Sequence, residues 1–142
     1  MKKFSVIALL CLLPVLLTGC KLDHAEVRAS VITLYEENRE TFLAAAASGD
    51  FSAVGALQGV ASVTGHDDHV DIFCQGFGMG SATVYFGLFY SPADDLCAAY
   101  GAVPPEELLP EGSGWRYREP GGDNTFYVEP LGDHFFYYSE AY

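Results

Sequence analysis

Apolar and polar positions change their spacing several times along this 142-residue chain. A basic pair, Lys2 and Lys3, precedes a mostly apolar run from Phe4 to Leu17. Further on, Val27, Val31, Leu34 and Phe42, with Ile32, Tyr35 and Leu43 beside them, recur at helical spacing. Asp23 with Glu26 three positions on has the form of a capping box. Ala44 to Ala47 propagate helix, and Gly49 supplies a left-handed stop. The pattern predicts one helix over about 24–48. Asp50 is placed to cap a short second helix across Ser52 to Leu57.

From His69 the period falls to two. Val70, Ile72 and Cys74 share one face, and Asp71, Phe73 and Gln75 the other. After the glycine-rich turn Gly76 to Gly80, the residues Ala82, Val84, Phe86, Leu88 and Tyr90 alternate with Thr83, Tyr85, Gly87 and Phe89. Aromatic residues on both faces predict a central strand covered on both sides. Shorter strands are expected at Gln58–Thr64, Trp115–Arg118, Thr125–Val128 and His134–Tyr138, with turns at Glu119–Asn124 and Leu131–Asp133. Pro104, Pro105, Pro110, Gly112 and Gly114 mark the longest loop. The expected fold is α+β: one long N-terminal helix packed on a five- or six-stranded antiparallel meander sheet.

The apolar run is too short to span a bilayer, which needs about 20 residues, and has the layout of a signal peptide. It ends in Leu17-Thr18-Gly19-Cys20. This resembles the lipobox of bacterial lipoprotein precursors. The resemblance implies removal of residues 1–19 as a lipoprotein signal peptide and lipidation of Cys20 with diacylglycerol and often a further acyl chain. Residues 20–142 then form a single mature domain, lipid-anchored on the extracytoplasmic face of the cell membrane. Two or three acyl chains anchor firmly where one does not.

Charge narrows the partners. Seven basic residues stand against 19 acidic ones, a net charge of −12, and two of the basic residues lie in the leader. Such a surface repels phosphate backbones and argues against nucleic acid. It also gives no electrostatic adhesion to anionic lipid, which leaves the membrane contact to the lipid on Cys20. Cys11 departs with the leader and Cys20 is used by the lipid, so Cys74 and Cys97 remain as an expected disulfide, worth roughly 3 kcal/mol in the chain-entropy picture.

No motif of established catalytic chemistry occurs. Ser81 lacks a Gly-x-Ser-x-Gly elbow, and Gly76-x-Gly78-x-Gly80 leads into a strand rather than into the helix a phosphate loop requires. His66-Asp67-Asp68-His69-Val70-Asp71 is the densest set of ligand-type side chains. Adjacent residues of an extended chain point to opposite faces, and Gly65 marks a turn, so the stretch is expected as a polar turn with no metal site. Tyrosine is apolar at the ring and polar at the tip, which suits interfaces. Tyr85, Phe89, Tyr127 and Tyr137 are therefore the candidate aromatic binding face, for an envelope protein, peptide or glycan. The expected function is a membrane-anchored envelope lipoprotein with a small non-enzymatic binding or structural domain and no cofactor. The alternative is a small envelope enzyme or metal-dependent binder built on the 66–71 cluster. A cleft gathering His66 or His69 with two carboxylates favours the alternative, and a flat tyrosine face favours the first.

The stretch from Val70 to Pro92 and the ending from Gly112, with Gly-Ser-Gly-Trp-Arg-Tyr, Gly-Gly-Asp-Asn and a tyrosine-rich close, also resembles small uncharacterised proteins of gut-dwelling Gram-positive bacteria. That resemblance implies no activity and no site residues.

Overall fold

The computed structural model describes residues 23–80, 82–101 and 103–142. The leader and Cys20 lie outside the described residues.

The helical segment is two helices rather than the single one expected. α1 (His24–Glu37) and α2 (Arg39–Ser48) are divided at Asn38. There the backbone leaves helical geometry, at φ −113° and ψ 19°. The Asn38 side-chain amide donates to the Leu34 carbonyl at 2.9 Å, a local bond that competes with continuation of the helix. At the outer ends, Asp23 accepts from the Ala25 N–H at 2.9 Å and Gly49 takes φ 74°. A short α3 (Ser52–Gly55) follows, with the Ser52 N–H on Asp50 Oδ1 at 2.9 Å. Val27, Val31, Tyr35, Phe42 and Ala45 are buried, whereas Leu43, placed beside the stripe by its spacing, is exposed.

Seven strands form one sheet: β1 (Ser62–Gly65), β2 (Val70–Phe77), β3 (Val84–Tyr90), β4 (Leu109–Glu111), β5 (Gly114–Arg118), β6 (Thr125–Gly132) and β7 (Phe135–Ala141). Their order is β1-β2-β3-β7-β6-β5-β4, and every neighbouring pair is antiparallel. The protein is α+β, but the sheet is not one meander. Two meanders, β1–β3 and β4–β7, meet where β3 pairs with β7. The additional strand is β4, inside the proline-rich loop. It is only three residues long and sits on the sheet edge, where Pro110 lacks an N–H without cost to the ladder.

Alternation sorts the core into two layers. On one face α1 and α2 cover Ile72, Phe86, Leu88, Phe135 and Tyr137. The rings of Tyr35, Phe42 and Phe135 meet with centroids 5.3 to 5.4 Å apart. On the other face Phe89, Phe126, Val128, Phe136 and Tyr138 lie under Cys97, Ala98, Val103 and Leu108 of the segment between β3 and β4. Apart from a single 3-10 turn at Pro105–Glu107, the described residues of that segment are irregular. They nevertheless serve as a second layer. Each buried Phe contributes about 1.5–3 kcal/mol relative to exposure, so β3 is held from both sides.

The expected disulfide is not formed, and both thiols are free. Cys74 on β2 packs against the helix-face core, and Cys97 is buried in the core of the opposite face. The sheet stands between them. A disulfide tolerates Cα atoms no more than about 7 Å apart with their Cβ vectors converging.

Candidate functional site

The four aromatic residues expected to share a binding face do not. Tyr85 and Phe89 point to the loop face, while Tyr127 and Tyr137 belong to the helix-face core. Phe89, Tyr127 and Tyr137 are buried and only Tyr85 is exposed. The physical reason is strand parity: Tyr85 and Phe89 occupy one parity of β3, and the odd positions of β6 and β7 fall on the other side.

The structure instead gathers a cleft of about 400 Å³ on the loop face. Its floor comes from β2 and β7. Asp71 lies on β2 and Tyr138 on β7, with β3 between them. Tyr138 crosses β3 at Gly87 and donates its hydroxyl to Asp71 Oδ1 at 2.8 Å. Gly87 makes the crossing possible, because a Cβ there would stand 2.6 Å from the Ile72 carbonyl oxygen and 2.8 Å from the Tyr138 ring. Two residues along β7, Glu140 faces the same side and accepts the Tyr142 hydroxyl at 3.0 Å.

The β1–β2 turn supplies one wall. His66 N–H donates to the His69 carbonyl at 2.8 Å, closing a tight turn. This stacks the two imidazoles with centroids 4.3 Å apart. His69 Nδ1 lies 2.7 Å from Asp68 Oδ1. The covering segment supplies the other wall at Ala98 to Gly101. Tyr100 stacks on Phe126 at 4.8 Å and reaches Tyr142 at 6.4 Å.

Burial raises the Asp71 carboxyl above the ordinary range, while the Tyr138 hydroxyl and the two histidines act in the opposite sense. Burial pushes Glu140 up to about 7, with Asp71 adding to the rise and the Tyr142 hydroxyl opposing it. The Tyr138 and Tyr142 hydroxyls are held far above their ordinary value by burial and the adjacent carboxylates.

No arginine reaches these acids through an ion pair. Arg28 pairs with Glu129, Arg39 with Asp133, and Arg116 and Arg118 both with Glu111. These four are the only arginines of the described residues, which contain no lysine. A second cleft, of about 450 Å³, opens on the helix face beside Arg28 and Arg116. Both arginines there are matched internally: Arg28 pairs with Glu129, which also takes the Tyr127 hydroxyl, and Arg116 pairs with Glu111 and lies over the Tyr127 ring. That network holds α1 to β6.

The 66–71 stretch contributes His66, His69 and Asp71 to the loop-face cleft. Among the described residues no group of three or more His, Cys, Asp or Glu side chains is arranged to hold a metal ion. Of the charged and aromatic lining residues, Glu140 and Tyr100 are the ones that sequence reasoning did not single out. The one local signal was Gly87, a glycine interrupting an otherwise bulky strand. No protein-family model, curated protein or solved structure matches this chain.

Proposed function

We propose that the protein is a lipid-anchored lipoprotein of the cell envelope whose mature domain, residues 20–142, binds a ligand in the loop-face cleft. The observation that carries the anchoring is Leu17-Thr18-Gly19-Cys20 at the end of a basic-then-apolar leader. Among the described residues no helix is long and apolar enough to cross a membrane. α1 begins at His24, and each residue of chain spans at most about 3.6 Å, so a lipid on Cys20 holds the domain close to the bilayer. The support for binding is the convergence of His66, His69, Asp71, Tyr138 and Glu140 from two strands and a turn on one cleft.

Cys20→Ala tests the anchoring. The variant is expected in the soluble fraction or as an uncleaved precursor, with no lipid mass on the mature chain. Normal membrane partitioning together with normal processed mass sinks the reading.

The same convergence is a cleft gathering His66 and His69 with two carboxylates, the arrangement expected to favour the alternative reading, a small envelope enzyme, and both carboxylates are held above their ordinary range. In that reading the cleft carries out acid–base chemistry on an envelope substrate. Its test is product formation from envelope extract by the native protein and by Asp71→Asn. Identical product profiles remove it.

A further inference from the structure

We propose that the loop-face cleft takes a primary alkylammonium group, of the kind a lysine-type side chain presents, seated between Asp71 and Glu140 and walled by tyrosine rings. The proposal rests on the reading of that cleft as the ligand site.

Charge is the first argument. A carboxylate drawn partly out of water is costly unless it is paired, and here two half-buried ones come from different strands onto one cavity. The internal partners are hydroxyls, Tyr138 on Asp71 and Tyr142 on Glu140. Every arginine of the described residues is committed elsewhere. A cation from outside fits what the fold leaves unpaired. An anion meets two carboxylates and the field of a chain with net charge −12.

The walls define what kind of cation. The groups that face Glu140 are Asp71 from β2, Tyr142 on its own strand, Tyr85 as its register partner on β3, and Tyr100 from the covering segment. His66 and His69 face Asp71 from the β1–β2 turn. Aromatic faces attract an ammonium and accommodate an alkyl stem. Carboxylate and phenol oxygens accept the three N–H donors of a primary ammonium, which a quaternary ammonium cannot offer. A bare metal ion finds no three-ligand group among the described residues.

Proton linkage follows. Near neutrality part of the free protein holds a proton on Glu140, whose carboxyl titrates at about 7. An ammonium beside it favours the charged form and expels that proton.

The test is calorimetry and amide NMR on the full-length protein in non-ionic detergent, near pH 7. The probes are pentylamine, pentanol, tetramethylammonium and N-acetylglucosamine. Pentylamine is expected to bind with a Kd of about 1 mM or tighter. It should shift the amides of residues 98–101 and 138–142 and release protons, seen as a buffer-dependent heat. Glu140→Gln and Asp71→Asn, with native spectra, should each weaken binding by about tenfold or more. Asp123→Asn, in the exposed β5–β6 turn, should leave it unchanged. Equal binding of pentanol, tighter binding of tetramethylammonium, or undiminished binding by both cleft variants overturns the assignment. If N-acetylglucosamine alone shifts the cleft amides, the ammonium class fails and the cleft stands as a ligand site. If no probe shifts them, both fail.

Discussion

Glu140 shows how a single side chain sets a pH response. Its carboxyl is raised from 4.5 to about 7, chiefly by burial. The folded state therefore holds a proton that the unfolded chain has already lost. The associated stability is fully present below about pH 4.5 and disappears as pH rises through about 7. Glu140→Gln keeps the shape and removes the titration. Relative to the native protein it is expected to be near neutral at pH 5 and to gain up to about 3 kcal/mol at pH 8. Thermal midpoints at the two pH values check this, and a gap that does not change with pH contradicts it. Asp50, Asp68, Glu111 and Asp133 are held below their ordinary range by hydrogen bonds or ion pairs and act only at lower pH, equally in both proteins. The thiols carry a second prediction at this scale. Burial and the Asp71 carboxylate push Cys74 up to about 12, and burial also raises Cys97. A thiol is nucleophilic only as thiolate, so both are expected to alkylate at least about tenfold more slowly in the native protein than after denaturation. Rapid labelling of either thiol in native protein, or an unreduced mass short by two hydrogens, refutes it. Counting cysteines left these two as the remaining pair, but a count holds no information about which face of a sheet each occupies.

Helices and strands were legible wherever their evidence is local. The caps at Asp23 and Gly49, the apolar stripe on α1 and α2, and the alternation through β3 follow from spacing and appear where that spacing puts them, apart from Leu43, which the fold leaves exposed. The interruption at Asn38 did not stand out, because asparagine there disturbs no apolar position. β4 was hidden by Pro110, which ordinarily argues against a strand. What joins the elements is non-local, and Arg28 is the clearest case. It donates from α1 through Nε and Nη2 to Glu129 on β6, a carboxylate that is 7% exposed, 101 residues along the chain. Removing the cation leaves that carboxylate buried against Tyr127 alone. Since Arg28 is itself partly exposed, Arg28→Met is expected to cost about 1–3 kcal/mol in urea unfolding. Adding Glu129→Gln should return part of that loss. A double variant no more stable than the single one shows that the ion pair does not set the α1–β6 contact.

Across the whole molecule, the cleft exists because distant segments coincide on one face: a turn at 66–69, a strand position at 71, a covering stretch at 98–101 and the strand at 138–140. The 66–71 stretch is marked in sequence as the densest set of ligand-type side chains, but nothing local marks 98–101 and 138–140 as its companions, which is why aromatic content pointed to four residues that the sheet divides between its faces. The two-meander topology explains the coincidence, since it brings β7 beside β3 and so brings Glu140 and Tyr138 close to Asp71. It also orders events in time. β7 is synthesised after the six other strands, yet it lies at the centre of the sheet, between β3 and β6. Until residues 135–141 emerge, β3 and β6 each present an open edge toward the place β7 takes. The helices with β1–β3, and β4 with β5 and β6, can pair among themselves beforehand. The joining of the two halves, and the cleft that needs Tyr138 and Glu140, wait for the last strand.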